Sequence, residues 1–440
     1  MVAASVAVAF ADSSIVVLAL PDLYATFGAS IEGIAWVITS YNVAVVAGAF
    51  ALVPVIGRLG TTTLARAGLS LFAAASVACA AVGSLGWLIV ARTVQGLGAA
   101  LLLAAALPLL GALAASRARG AAAWTVAGTF GAALGPALGG ALTQAFDWRA
   151  IFVVQAPIAG LALVATVGSH AAGLERSAST RRPWDSARAD IGLALVFGAL
   201  VGALFLSVLL VVTGWGLSPI EGAAVVTALP LAALAMRPLT ARLSGTDAVV
   251  GGGLLLAAGL AAIALLPATS PLLLAVSLAF CGAGIGLAVP TLSETALSGE
   301  ATLRSGAITV GARHVGLVLA LAIVAPLLAG SLERGGDRAV LAGTEAILDA
   351  NVPVRTKVPL AIDLDREIER GQSGDIPDLA RVFEEHGAAS DERLRDLEDS
   401  LVGTLEAVLT RSFRPGFAVA ALLALAAAAS AAVRLGRRAA

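Results

Sequence analysis

Apolar residues fill the chain in long runs separated by turn or charged residues, and a run of about 20 such residues crosses a hydrocarbon core near 30 Å as an α-helix. Twelve runs fit that length and are predicted as membrane spans, at approximately 2 to 20, 34 to 56, 62 to 82, 86 to 113, 120 to 142, 149 to 169, 189 to 213, 218 to 236, 248 to 266, 271 to 292, 305 to 330 and 415 to 434. Two polar stretches interrupt them. HAAGLERSASTRRPWDSAR follows the sixth run, and residues 331 to 414 follow the eleventh. The expected fold is therefore an all-α integral membrane protein. A six-helix half occupies 1 to 170, a cytoplasmic linker 171 to 188, spans 7 to 11 residues 189 to 330, an extracytoplasmic helical insertion 331 to 414, and span 12 with a cytoplasmic tail 415 to 440. A faint repeat supports two halves: PVIGRLGT from Pro54 returns as PLTARLSGT from Pro238, each after the second span of its half, and repeated six-span units are a transporter architecture.

The insertion reads as helices rather than coil. Leu394, Leu397, Leu401, Leu405 and Val408 fall at steps of three and four behind Ser390, a candidate N-cap. Shorter helical patterns occupy about 338 to 350, 359 to 370 and 377 to 386, divided by NVPVRTKVP and GQSGDIP. The predicted result is a small helical cap on the outer face, a candidate docking place for a protein partner.

Charge distribution sharpens this picture. The insertion holds 29 of the 57 charged residues, so the remaining chain is nearly charge-free. With formal net charge −1 and no basic patch, nucleic-acid binding is excluded, as is disorder. Placing the N-terminus inside collects Arg58, Arg66, Arg117, Arg119, Arg176, Arg181, Arg182, Arg188, Arg237, Arg242, Arg304, Arg434, Arg437 and Arg438 on the cytoplasmic side, and leaves only Arg149 in the short outer loops. That asymmetry sets the orientation, with both termini cytoplasmic. The first run has no basic residue ahead of it and carries Asp12, so it reads as a span rather than a cleaved leader. Cys79 and Cys281 sit in apolar runs and read as small hydrophobes.

Several strings carry more specific information. WLIVARTVQGLGAA in span four presents Arg92, Gln95, Gly96 and Gly98, and FGAALGPALGGAL in span five presents Gly131, Gly135, Pro136, Gly139 and Gly140. ADSSIVVLALP places Asp12 and Pro21 in span one, followed by WVITSYN at Trp36 and DWRAIFVVQAPI at Asp147. Together these resemble the major facilitator superfamily, and most closely its drug:proton antiporter branch, strongly over the first 170 residues and more loosely beyond. The resemblance implies alternating access and exchange of substrate for protons. Two departures stand out. The loop after span two, GRLGTTTLARAG, lacks the acidic residue of the superfamily's GxxxDRxGRR pattern, and the short polar linker makes this a twelve-span variant where many members of the branch have fourteen.

Physical reasoning singles out residues without that name. A charge within a span is costly unless it faces the bundle interior. Asp12 lies about 15 Å along span one, near the midplane, and Arg92 on span four is its candidate partner. They read either as a proton-coupling pair or as a structural ion pair. Gly131, Gly135 and Gly139 share one helix face, and Pro136 bends the helix. They read either as simple helix packing or, with Gly140, as a conformational seam on which the halves rock. Arg313 and His314 lie roughly 10 Å inside span eleven, where they either contribute to transport or anchor headgroups or a neighbouring span. Tyr41, Asn42, Gln95 and Gln155, with Arg313 and His314, are the candidate substrate-cavity residues. Glu221 and Glu294 sit near span ends and read as solvated or capping groups.

No enzyme is predicted. His386 has no second metal ligand at a usual spacing, GQSG at Gly371 lacks the context of a nucleophile elbow, and Asp363, Asp365, Glu367 and Glu369 read as a solvated helix face rather than a calcium loop. No metal or cofactor is expected. No GxxxxGK[ST] string occurs, so an ion gradient must drive transport. The favoured function is proton-coupled export of hydrophobic or amphipathic small molecules across a bacterial plasma membrane, the partners being substrate, protons and the bilayer. A lipid exporter or flippase using the outer helices, and a non-transporting receptor or assembly factor, are the alternatives.

Overall fold

In the computed structural model all the apolar runs are helical. Residues 1–56, 58, 60–167, 184–297, 302–350, 352–372, 379–386 and 391–438 are described. The expected linker falls outside them as far as residue 183, and its last residues, from Trp184, already belong to a helix. Ser390 also lies outside, and the cap of its helix is Asp391, whose side chain accepts from the Arg393 N–H.

The first half comprises α1 (Val2–Phe27), α2 (Ile31–Leu52), α3 (Thr61–Ala81), α4 (Leu85–Leu113), α5 (Arg117–Ala145) and α6 (Ala150–Ala165). Helix α1 tightens to 3-10 geometry over Val16–Ala19, because Pro21 has no N–H to offer the Val17 carbonyl and Leu20 bonds it instead. Gly28, at φ 57°, ends α1 in the left-handed conformation that suits a residue without Cβ. The second half continues with α7 (Trp184–Gly214), α8 (Pro219–Thr240), α9 (Gly245–Ala264), α10 (Pro271–Leu297) and α11 (Leu303–Asp349). Helix α8 opens on a capping box in which Ser218 and Glu221 satisfy each other's backbone N–H. Pro54 and Pro238, the repeat's first residues, both lie in a single turn closing the second span of their half.

Among the described residues ten helices are long and apolar enough to cross a bilayer, or eleven when α5, bent by 46°, counts as one span. The shorter α6 accounts for the remaining expected span, whose predicted end at 169 lies outside the described residues.

The insertion departs from the expected four separate patterns. Helix α11 does not stop at 330. It runs unbroken for 47 residues, about 70 Å at 1.5 Å per residue, and so carries its outer part well clear of a 30 Å core. Helices α12 (Val354–Gln372), α13 (Leu379–Glu385) and α14 (Glu392–Ser412) complete the outer group before α15 (Arg414–Arg438) re-enters the bundle. Ile347, Leu360, Leu364, Phe383, Leu394, Leu397 and Leu401 give this group its own apolar core. It rests on the turns that join α7 to α8 and α9 to α10. Trp215 donates to Thr410 (3.0 Å), Thr269 to Glu406 (2.8 Å) and Arg414 to the Leu266 carbonyl (3.4 Å). Arg381 bridges Glu385 (2.7 Å) and Glu367 (2.8 Å), and these two carboxylates push its pKa up.

The bundle interior is packed mainly with apolar side chains, and the charged and amide groups of the spans are buried within it while further apolar side chains cover the outside. Asp12, Arg92, Asn42, Gln95 and Arg313 are fully buried, while Trp87, Val154, Val164 and Leu272 face outward. The two halves meet at both ends of the bundle. Helix α11 packs on α2 and α4, and α5 packs on α8. A Cβ on Gly306 would lie 2.9 Å from the Ala104 carbonyl oxygen, and one on Gly140 2.6 Å from Ala223 Cβ, so glycine sets the distance at each contact.

Candidate functional site

Asp12 is held by two side chains within the first half. Arg92 on α4 donates through Nη1 to Asp12 Oδ2, and Gln155 on α6 donates through Nε2 to Oδ1 at 2.7 Å. Arg92 also donates to the Val37 carbonyl (2.9 Å) and to Gln95 Oε1 (2.6 Å), and its guanidinium lies over the rings of Tyr41 (4.4 Å) and Phe152 (5.5 Å). Gln95 Nε2 donates to Ser76 Oγ (2.9 Å) and Gln155 Oε1 (2.8 Å). The two charges thus neutralise each other and are further hydrogen-bonded, as a buried ion pair requires, with Arg92 Nη2 alone of its nitrogens lacking a partner.

The span-four string explains itself in this setting. Arg92 and Gln95, one turn apart, face the interior, while a Cβ on Gly96 would lie 2.3 Å from the Tyr41 oxygen and one on Gly98 2.6 Å from the Phe72 nitrogen. The two glycines let α2 and α3 close around the two polar side chains.

Of the cavity candidates, Gln95 and Gln155 spend their amides on the Asp12–Arg92 pair. Tyr41 donates to the Ala9 carbonyl (2.7 Å), and Asn42 accepts from Ser13 (2.8 Å) and donates to the Ile38 carbonyl (2.8 Å). Arg313 and His314 lie elsewhere, across the interface between halves. The Arg313 guanidinium sits among Phe10, Trp124 and Phe197, and donates to Ser293 Oγ at 2.6 Å. His314 Nδ1 is 2.8 Å from the Val310 carbonyl, and its ring stacks on Phe10 at 6.1 Å.

Gly131, Gly135 and Gly139 of α5 face α1, within the same half. A Cβ on Gly131 would lie 2.0 Å from the Ala7 oxygen, and one on Gly139 2.1 Å from the Ile15 oxygen. Of the seam candidates, Gly140 alone, against Ala223 and Pro219 on α8, touches the other half. Pro136 has no N–H for the carbonyl four residues earlier, Ala132, and Ser14 Oγ supplies the missing donor at 2.8 Å. A Cβ at Gly135 would come within 2.1 Å of that Ser14 oxygen, so the glycine makes room for the substitute bond.

Sequence reasoning missed several participants. Asp190 on α7 is buried and accepts from Thr309 on α11 at 3.0 Å. It falls one residue inside the predicted start of span seven and, as a charge within a span, is open to the same reading as Asp12. Ser76, Ser13, Phe10, Trp124 and Phe197 carry no such signal, since each is ordinary in an apolar helix. In the insertion, Asp363 pairs with Arg366 and approaches His386 at 3.5 Å. The side chains of Asp365 and Glu369 lie outside the described residues. Among the described residues no group of three or more His, Cys, Asp and Glu is placed to hold a metal ion.

The model of the Major Facilitator Superfamily matches residues 2–332, three quarters of the chain. The chain belongs to that superfamily. It is accordingly a transporter-family membrane protein and not an enzyme. The multidrug resistance protein Stp of Mycobacterium tuberculosis is 30% identical over 203 residues, 46% of this chain and 36% of that protein. The methylenomycin A resistance protein of Bacillus subtilis is 31% identical over 156 residues, 35% of this chain and 34% of that protein. The matched stretches thus span about a third of these relatives' lengths. Among solved structures, a bacterial homologue of the human lysosomal transporter Spinster aligns with a TM-score of 0.56 at 14% identity, covering 98% of this chain and 96% of that one. A D-xylose-proton symporter gives 0.56 at 16% identity, covering 73% and 87%. These two likenesses show a shared fold.

Proposed function

We propose that this superfamily member is a secondary active exporter of hydrophobic or amphipathic small molecules, exchanging them for protons across a bacterial plasma membrane. The observation that carries this reading is Asp12, a fully buried carboxylate inside a membrane helix whose partners are Arg92 and Gln155. Such a group is costly to keep charged and is retained where charge is put to use. The partial likeness to proteins named for multidrug and antibiotic resistance supports export.

In this scheme Asp12 releases its proton when substrate binds and takes one up when substrate leaves. Ionised, it satisfies Arg92 and Gln155; protonated, it leaves Arg92 without its counter-charge. Two residues along α1, Ser14 is bonded into the bend of α5, and the far end of α5 rests on α8 through Gly140. The protonation state of Asp12 is thereby linked mechanically to the contact between halves.

The test is the pH of a weakly buffered solution of purified protein as hydrophobic compounds are added. Binding should acidify the wild-type solution and leave the Asp12→Asn solution unchanged. Saturable binding with no proton release by the wild type overturns the antiport reading. Orientation is tested by single cysteines in place of the exposed Arg242 and Ser400, both native cysteines being buried. The two should react with impermeant reagent from opposite faces of the membrane, Arg242→Cys from the cytoplasm.

A further inference from the structure

The Asp12–Arg92 pair is electrically neutral, but the second buried guanidinium is not answered in the same way. Arg313 is fully buried, and its Nε and Nη1 have no hydrogen-bond partner. Only Nη2 is engaged, by Ser293 Oγ. Asp190 on α7 acts on it electrostatically without being hydrogen-bonded to it, and accepts from Thr309, one turn before Arg313 on α11. What surrounds the charge is aromatic. The guanidinium carbon lies 5.1 Å from the Phe10 ring centre, 4.9 Å from Trp124 and 4.9 Å from Phe197. Ring faces attract a cation but do not accept its N–H groups as an anion does.

The position of this box matters as much as its chemistry. Phe10 and Trp124 belong to the first half, while Phe197, Ser293 and Arg313 belong to the second. Gly128 on α5 completes the cradle, since a Cβ there would lie 2.9 Å from the Phe10 ring and 3.1 Å from Arg313 Nη1. Any rocking of the halves opens this particular box and strips two of the three rings from the guanidinium. The freed N–H groups then face the space between the halves, where a substrate resides under alternating access.

Resting on the transport reading above, we infer that Arg313 is an anion-binding residue and that the substrates are amphipathic organic anions. A carboxylate or sulfonate occupies the unpartnered N–H positions, and its apolar body takes the place of the two rings that withdraw when the halves part. Arginine suits this task because it stays charged and presents several donors in one plane.

The experiment uses the full chain in proteoliposomes under an imposed pH gradient, with 2-naphthalenesulfonate and 2-naphthyl-trimethylammonium as probes of matched size and opposite charge. The wild type should transport the sulfonate in preference to the cation. Arg313→Gln should reduce sulfonate transport at least ten-fold, and Arg313→Lys should restore part of it. Should Arg313→Gln fail to fold, thermal unfolding of the wild type decides, with the sulfonate and not the cation raising Tm. Preference for the cation, or undiminished sulfonate transport by Arg313→Gln, overturns the inference and leaves export itself standing. Transport of neither probe, with no Tm shift, overturns it too, and proton release with other hydrophobic compounds then shows whether the broader reading survives.

Discussion

Replacing Asp12 by Asn removes one charge and keeps the shape, so it isolates the interaction on which proton coupling depends. In the folded protein Arg92 then loses its counter-charge but keeps the Val37 carbonyl, Gln95 Oε1 and the rings of Tyr41 and Phe152. Breaking a buried pair by deleting one partner costs about 3–5 kcal/mol. The lower end, about 3 kcal/mol, is expected here because those remaining groups still accept from and shield the guanidinium. Arg92→Gln added to Asp12→Asn leaves no buried charge at the site, and the double variant should return to within about 1 kcal/mol of the wild type, as paired replacements commonly do. Thermal unfolding in detergent should therefore rank wild type and double variant together, above Asp12→Asn. In proteoliposomes Asp12→Asn should lose uphill export and its pH dependence while keeping some downhill exchange, because its amide mimics the permanently protonated carboxyl. Full uphill export with normal pH dependence would refute the assignment and move coupling elsewhere, His314 being next. A double variant less stable than Asp12→Asn would refute the charge reasoning itself.

Gly131→Ala forces a methyl to within 2.0 Å of the Ala7 oxygen and should cost about 3 kcal/mol, whereas Gly160→Ala, with nothing within 4 Å, should be neutral; Tm of the purified proteins tells them apart. Ser14→Ala orphans the Ala132 carbonyl and should cost about 1–3 kcal/mol. In a Pro136→Ala background the restored N–H takes over that carbonyl, so the same change should lower Tm much less. Phe383→Ala empties a buried position in the outer group at a cost of about 3–5 kcal/mol. It should open residues 352–412 to limited proteolysis while the membrane bundle keeps its Tm, and co-unfolding of the two would show that they form one cooperative unit.

The helical spans, the inward placement of the intramembrane charges and the two-half organisation were legible in the chain because each rests on local properties. A helix satisfies its own backbone in lipid wherever about 20 apolar residues follow one another, and a charge inside such a run has to face inward. Asp12 and Arg92 belong in the interior on that ground, and so does Asp190, although at a span edge a carboxylate reads equally well as solvated. What the local pattern does not contain is the rotation of each helix about its own axis, since a run apolar all round has no face that its composition prefers. Hence only the tertiary structure decided that Gln155 and Ser76, 60 and 19 residues from Gln95, complete the Asp12–Arg92 network. The same holds for Gly131, Gly135 and Gly139 of α5, whose shared face fits any close neighbour and lies on α1, while Gly128 and Gly140 meet the other half. Helix α11 continues past 330 because an amphipathic stretch extends a helix as readily as an apolar one does, and the outer core built from Ile347 and Phe383 gives that stretch somewhere to bury its apolar side. For Arg313, sequence supplied the charge, and the fold surrounded it with rings from three other helices and left two of its nitrogens without a partner.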